Sequence, residues 1–125
     1  MRLLDTNIAI DHLRGTAEAV ELVGMLVEQG ETIGASEVVR FELLAGVRES
    51  ELGALESFCS ALTWFPVDED VARTAGLLAR RYAKAHRGIR AADYLVAATA
   101  VNEDALLLTR NVRHFPMFTT LRPPY

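Results

Sequence analysis

Short apolar segments alternate with longer segments of helical periodicity along the whole chain, and this alternation restricts the fold more than any other feature. The short segments, at residues 2–4, 32–35, 63–67 and 105–108, are rich in the apolar and β-prone residues of strands. The longer segments repeat apolar residues three or four positions apart, as amphipathic helices do. This order predicts one α/β domain with a central, mostly parallel sheet flanked by helices.

Six helices are predicted around these four strands. Gly15 and Gly30 end the first two, because glycine commonly follows the last turn of a helix. Pro66 favours an edge position for the third strand, since proline cannot donate a hydrogen bond to a neighbouring strand. The last helix is apolar on all sides and is therefore expected to be internal. The predicted helices cover residues 8–13, 17–29, 36–46, 50–61, 68–82 and 91–101.

Size and composition exclude several classes of protein. The 125 residues fit a single domain, 1–125, and the 50% of apolar residues exclude a disordered chain. No uncharged stretch approaches the roughly 20 apolar residues of a transmembrane helix, and the first residues lack a signal-peptide core. We therefore expect a cytoplasmic protein. The single cysteine, Cys59, excludes an internal disulfide and a cysteine-rich zinc site, and it is expected to be buried.

The two halves of the chain carry opposite charge. Residues 1–72 contain 14 acids and 4 bases, whereas residues 73–125 contain 3 acids and 9 bases. Twelve of the 13 bases are arginines, and guanidinium groups bind phosphate in a bidentate way. A phosphate-binding surface in the second half and an ordinary solvated basic face both fit this pattern.

Four oxygen-bearing side chains occupy positions that packing alone does not explain. Asp5 and Asn111 each follow a predicted strand, where a helix cap and a turn residue are the alternative interpretations. Glu42 lies on the apolar side of its helix, opposite Arg40, where a buried salt bridge is the alternative. Asp93 opens the internal helix and is either its cap or a functional acid.

These four side chains are expected to converge at one edge of the sheet, where α/β proteins bind their ligands. Three neighbouring carboxylates would repel one another unless a cation lies between them. Mg²⁺ or Mn²⁺ is favoured, because both prefer carboxylate, amide and water oxygens. Zinc is disfavoured, since His12, His86 and His114 show no ligand spacing and are expected to be surface residues.

Four segments in order resemble the motifs of PIN-domain ribonucleases, in particular the VapC-type toxins of prokaryotic toxin–antitoxin pairs. Residues 1–7 resemble the opening strand with the first acid, and residues 36–43 the helix with its glutamate. Residues 89–100 resemble the helix with the third acid, and residues 107–115 the closing motif. The match extends over nearly the whole chain. One departure is Asn111, which stands where many members have aspartate.

The resemblance implies a Mg²⁺- or Mn²⁺-dependent endoribonuclease toxin that hydrolyses RNA phosphodiester bonds. It also implies a homodimer that a small VapB-type antitoxin inhibits by inserting a segment beside the metal site, and the helices 17–29 and 36–47 are expected to form that groove. The implied metal-binding and catalytic residues are Asp5, Glu42, Asp93 and Asn111, with Thr6 and Thr109 supporting them. The implied RNA contacts are Arg87, Arg90, Arg110 and Arg113.

Three other functions compete with this interpretation. A housekeeping PIN-domain nuclease for RNA processing would carry the same residues, and only an adjacent antitoxin gene separates it from a toxin. A PIN fold kept as a non-catalytic binding module would be expected to lose acids, and here all three remain. A phosphorylatable receiver domain is excluded, because it needs a basic residue near a late strand, whereas Lys84 is the only lysine and is expected within a helix.

Overall fold

A parallel four-stranded sheet forms the centre of the protein. The computed structural model describes residues 1–125. The strands are β1 (Arg2–Leu4), β2 (Ile33–Ser36), β3 (Thr63–Phe65) and β4 (Leu106–Leu108). They lie in the order β3-β2-β1-β4, and every neighbouring pair is parallel. The predicted α/β class is confirmed, and the central position of β1 brings its carboxyl end beside those of β2 and β4.

Six α-helices connect and cover the strands, as predicted. Ser36 and Asp68 cap two of them, because their side chains accept hydrogen bonds from the backbone N–H groups of Val38 and Val71 (3.2 and 2.9 Å). The helices are α1 (Thr6–Leu13), α2 (Ala17–Glu28), α3 (Glu37–Gly46), α4 (Leu52–Ser60), α5 (Glu69–Tyr82) and α6 (Ala91–Asn102). Short 3-10 helices cover Glu49–Glu51 and Val112–His114. Lys84 lies just beyond α5 and not within it.

The two outer strands, β3 and β4, each have a neighbouring strand on one side only. β3 is an edge strand, as Pro66 predicts. β4 is the opposite edge. The apolar run at residues 105–108 predicts a buried strand, but only Leu107 is buried, while Leu106 is 60% exposed. The expectation was wrong because β4 has a neighbouring strand on one side only. No helix is both long and apolar enough to cross a membrane.

The core has three clusters, two of which contain residues of β1, while the third joins α5 to α6. Leu3 belongs to a cluster with residues of α3, α4 and α6, whereas Leu4 packs with Ile8 of α1 and with Val23 and Leu26 of α2. Adjacent strand residues point to opposite faces, so β1 contributes to two clusters. Helix α6 is buried on nearly all sides, as predicted, and Cys59 is buried as well. This packing fixes the end of the sheet at which the predicted site residues lie.

Replacing Gly34 with alanine tests how closely β2 and β3 pack. A Cβ atom at Gly34 would lie 2.7 Å from Phe65 Cε2 and 3.1 Å from the Thr63 carbonyl oxygen. Gly34→Ala should therefore lower the free energy of unfolding by about 1–3 kcal/mol, the usual cost of overpacking. In the control Gly76→Ala, within α5, the added Cβ meets nothing within 4 Å, and helix propensity predicts a gain of up to about 1 kcal/mol. Urea denaturation measures the free energy of unfolding of both variants. Equal stability of Gly34→Ala and wild type would contradict the close packing of β2 against β3.

Candidate functional site

Asp5 lies at the junction of β1, β4 and α1. Its backbone N–H donates to the Leu108 carbonyl oxygen (3.0 Å), which continues the β1–β4 pairing by one residue. Its carboxylate caps α1, because the Thr6 N–H donates to Asp5 Oδ1 (2.8 Å). Asp5 is only 5% exposed, so this carboxylate is held inside the protein. The capping interpretation of Asp5 is correct, but one cap bond does not account for a buried charge.

Thr109 and Asn7 donate the remaining hydrogen bonds to Asp5. The fully buried Thr109 hydroxyl donates to Asp5 Oδ2 (2.7 Å), and the Asn7 amide donates to the same oxygen (3.0 Å). Thr109 Oγ1 in turn accepts from Asn7 Nδ2 (3.1 Å) and from the backbone N–H of Asn111 (3.0 Å). Asn7 Oδ1 accepts from the Arg110 N–H (3.0 Å). Sequence reasoning missed Asn7, although its position two residues after an acid at a helix start was a usable signal.

Asp5 is electrostatically coupled to the other two acids. Burial raises the pKa of its carboxyl group above the ordinary value, while the hydrogen bonds from Thr109 and Thr6 act in the opposite direction. The negative charges of Asp93 and Glu42 raise the pKa further. The three carboxylates are thus close enough to repel one another, and the hydrogen bonds to Asp5 do not fully offset its burial and this repulsion.

Glu42 faces the same region from α3. The Thr6 hydroxyl donates to Glu42 Oε1 (2.7 Å), and Arg90 Nη2 donates to Oε2 (3.1 Å). Arg40 lies on the other side of the helix, where it pairs with Glu37 (Nε to Oε2, 2.6 Å) and covers the Trp64 ring. The prediction that Arg40 is not the partner of Glu42 is confirmed. The salt-bridge alternative also holds, with Arg90 as a partner that sequence reasoning did not identify.

Asp93 occupies the first turn of α6. Its Oδ2 accepts the backbone N–H of Arg90 (3.0 Å), so Asp93 also caps its helix. His114 Nδ1 lies 3.1 Å from the same Oδ2, without the alignment of a hydrogen bond. Asp93 Oδ1 accepts no hydrogen bond, and its nearest cation is Arg90 Nη2 at 3.7 Å. One oxygen of this buried acid therefore remains available to a ligand.

Two histidines lie closer to the interior than expected. His114 was expected at the surface, but the 3-10 helix Val112–His114, anchored by the fully buried Phe115, places its ring against Asp93. His12 is half-buried and stacks on Phe58 (ring centroids 4.8 Å apart), and burial lowers its pKa. Only His86 is exposed as expected.

Asn111 joins the site through its backbone. Its N–H donates to Thr109 Oγ1 (3.0 Å), its side chain makes no hydrogen bond, and the residue is exposed. The structure thus brings Asp5, Glu42, Asp93, Thr6 and Thr109 together, whereas Asn111 lies at the rim.

The donor chemistry of the site fits a hard divalent cation. The three acids offer oxygen ligands only, and their mutual repulsion favours a cation among them. In the arrangement observed, no three acidic, histidine or cysteine side chains are gathered closely enough to coordinate an ion. The Arg90 guanidinium lies against both Glu42 and Asp93. A metal held by all three acids would therefore require rearrangement of these side chains.

The arginines implied in RNA binding have different surroundings. Arg87 and Arg113 are exposed and form no ion pair, whereas Arg110 pairs with Asp11 (Nε to Oδ2, 2.7 Å). The Tyr125 hydroxyl donates to the same Asp11 oxygen (2.7 Å), and burial together with this hydrogen bond raises the pKa of Tyr125 to about 12. Arg110 is thus held in place, while Arg87 and Arg113 are free to meet a ligand.

A groove between α1 and α3 runs up to Glu42. Its cavity of about 150 Å³ is walled by Ile10, Leu13, Leu43 and Val47, and Glu42 lies in its lining. Helices α1 and α3 wall this cavity, whereas α2 does not. The prediction that the helices 17–29 and 36–47 form the antitoxin groove stays a prediction. An apolar segment lying in this groove would reach Glu42.

Comparisons with known proteins agree with this geometry. A family model described as PIN domain matches residues 2–116. The chain is 64% identical to Ribonuclease VapC19 of Mycobacterium tuberculosis, and the alignment covers the whole of both chains. It is similar to the structure of VapBC-1 from nontypeable Haemophilus influenzae, with a TM-score of 0.78, 25% identity, and 97% of this chain and 94% of that chain covered. A toxin–antitoxin complex from Klebsiella pneumoniae shares the fold, with a TM-score of 0.82, 23% identity, and 100% and 98% covered.

Replacing Thr109 with valine tests the support of Asp5. Valine keeps the methyl group but removes the hydroxyl that donates to Asp5 and accepts from Asn7 and Asn111. Unsatisfied buried groups should lower the free energy of unfolding by about 1–3 kcal/mol, measured by urea denaturation at neutral pH. Thr109→Ser is the matched control, because it keeps the hydroxyl and loses only the methyl group. If Thr109→Ser lowered the free energy of unfolding more than Thr109→Val, Thr109 would stabilise the protein through packing alone.

Proposed function

The chain belongs to the PIN domain family, and from this we propose that it is a Mg²⁺- or Mn²⁺-dependent endoribonuclease and the toxin of a toxin–antitoxin pair. The observation that carries the proposal is the approach of three carboxylates at the carboxyl end of β1, where burial, and after it the charges of Asp93 and Glu42, raise the pKa of Asp5. Acids kept together against their own repulsion are typical of a metal-dependent site. The name of the relative VapC19 supports RNA as the substrate.

Asp5, Glu42 and Asp93 are the residues that would hold the ion, and Asn111 could add its amide oxygen from the rim. When bound, the ion supplies Lewis acidity towards a phosphate oxygen and an attacking water. Thr6 and Thr109 hold the Glu42 and Asp5 carboxylates in fixed directions.

RNA is expected to approach along the arginines around the acids. Arg87 and Arg113 are exposed and unpaired, so they are free to bind backbone phosphates. Arg110 would present its remaining N–H groups while Asp11 fixes its position. Arginines that bind backbone phosphate position the strand without selecting its sequence. An RNA-cutting toxin acts where RNA and antitoxin are present, and we place it in the cytoplasm.

The acids provide the first test of the proposal. Asp5→Asn, Glu42→Gln and Asp93→Asn should each reduce RNA cleavage at least about 100-fold, more than the loss of a supporting contact costs, and should leave the far-ultraviolet circular dichroism unchanged. Glu37→Gln is the matched control, since Glu37 lies on the same helix as Glu42 and pairs only with Arg40. Cleavage is followed on total RNA with Mg²⁺, with Mn²⁺ and with a chelator. If two of the three variants cut at the wild-type rate, the site is assigned wrongly.

Mapping of the cut ends tests the reaction itself. The family resemblance implies products with 5′-phosphate and 3′-hydroxyl ends. Ligation-based sequencing that depends on a 5′-phosphate should capture the products directly, without prior kinase treatment. Products that need kinase treatment for capture would exclude this mechanism.

An antitoxin is the partner that the groove between α1 and α3 suits. An apolar segment would lie along Ile10, Leu13 and Leu43, and a basic side chain of the same segment would reach Glu42. Co-expression with the adjacent small open reading frame should give a stable complex with suppressed cleavage, and size measurements of the free protein should show a homodimer. Leu13→Glu should weaken the complex without loss of folding, because Leu13 is only partly buried. If the neighbouring product neither binds nor inhibits, a housekeeping nuclease becomes the better account.

A further inference from the structure

The Arg90 side chain is paired with acids of the site, whereas a residue that binds RNA is expected to be free. Arg90 Nη2 donates to Glu42 Oε2 (3.1 Å) and lies 3.7 Å from Asp93 Oδ1. We propose that Arg90 is a displaceable counter-ion of the site, which occupies the place of the metal between Glu42 and Asp93 and has to leave when a divalent ion binds. This inference rests on the proposed metal site and adds a residue that regulates its occupancy.

The contacts of Arg90 match those expected of a cation substitute. Its two acidic partners are on different helices, and their side chains are only 16% and 5% exposed. Without a positive charge between them, two such poorly hydrated carboxylates would repel each other strongly. A single guanidinium that reaches both acids therefore stabilises the arrangement when no metal is present.

The same contacts show why Arg90 can be displaced. Its side chain is 62% exposed, and it forms one hydrogen bond and one longer ionic contact to the acids. Ion pairs of such exposure contribute only about 0.2–1 kcal/mol each. The Arg90 backbone is anchored separately, because its N–H donates to Asp93 Oδ2 (3.0 Å). The side chain can thus swing away while the start of α6 stays in place.

A divalent ion has two advantages over the guanidinium. It carries twice the charge, and it can also neutralise Asp5, which Arg90 does not contact. Once displaced, Arg90 remains at the rim of the site, three residues from the unpaired Arg87. Metal binding would then release a cation for the phosphate of the RNA, so metal and RNA should bind cooperatively.

Calorimetric titration with Mn²⁺ in the absence of RNA tests this inference. Arg90→Gln removes the competing cation, so the dissociation constant for Mn²⁺ should fall about two- to fivefold relative to wild type. Arg87→Gln is the matched control, because it removes an equal charge from the same segment, and Arg87 does not contact the acids. Its dissociation constant for Mn²⁺ should change less than that of Arg90→Gln. Arg90→Lys keeps the charge without the planar fork and should lie between wild type and Arg90→Gln.

A melting experiment gives a second readout that does not depend on activity. In the presence of a chelator, the melting temperature of Arg90→Gln should be below that of wild type, because the acids lose their counter-ion. Saturating Mn²⁺ should reduce or reverse this difference in melting temperature. If Arg90→Gln binds Mn²⁺ equally or more weakly than wild type, the counter-ion role is overturned while the metal site stands. If neither protein binds Mn²⁺, the metal site itself fails, and this inference fails with it.

Discussion

The burial of the Asp5 carboxylate is the constraint on which the rest of the site depends. An ionised carboxylate inside a protein costs several kcal/mol unless hydrogen bonds or a cation compensate it. Here the Thr6 N–H, the Thr109 hydroxyl and the Asn7 amide all converge on it, and they come from α1 and from the segment after β4. Compensating one charge thereby joins the two ends of the chain.

Sheet order explains why these groups meet at all. Since β1 lies between β2 and β4 and all three are parallel, the segments that follow these strands begin at the same end of the sheet. Asp5 follows β1, α3 with Glu42 follows β2, and Thr109 follows β4. Asp93 is brought in by α6, which packs against α3 and β2 and is buried on nearly all sides. The hydrophobic packing of the fold thus places like charges together, although they would separate if they were free.

The elements and the positions of the acids could be predicted from the sequence because both depend on local signals. Apolar periodicity, caps such as Ser36 and Asp68, and Pro66 at an edge strand act within a few residues. The partners of the acids were not predictable, because Arg90 meets Glu42 across 48 positions and His114 meets Asp93 only through the burial of Phe115. Such contacts depend on how helices pack, and helical periodicity does not report packing.

The hydrogen bond between Thr109 and Asp5 joins residues 104 positions apart, and this separation matters during synthesis on the ribosome. At about 5–20 residues per second, a ribosome adds Thr109 roughly 5–20 seconds after Asp5. During that time the nascent chain has no β4 beside β1 and no hydroxyl for the buried carboxylate. The hydrogen bonds that compensate the Asp5 charge can therefore be completed only after nearly the whole chain has been synthesised.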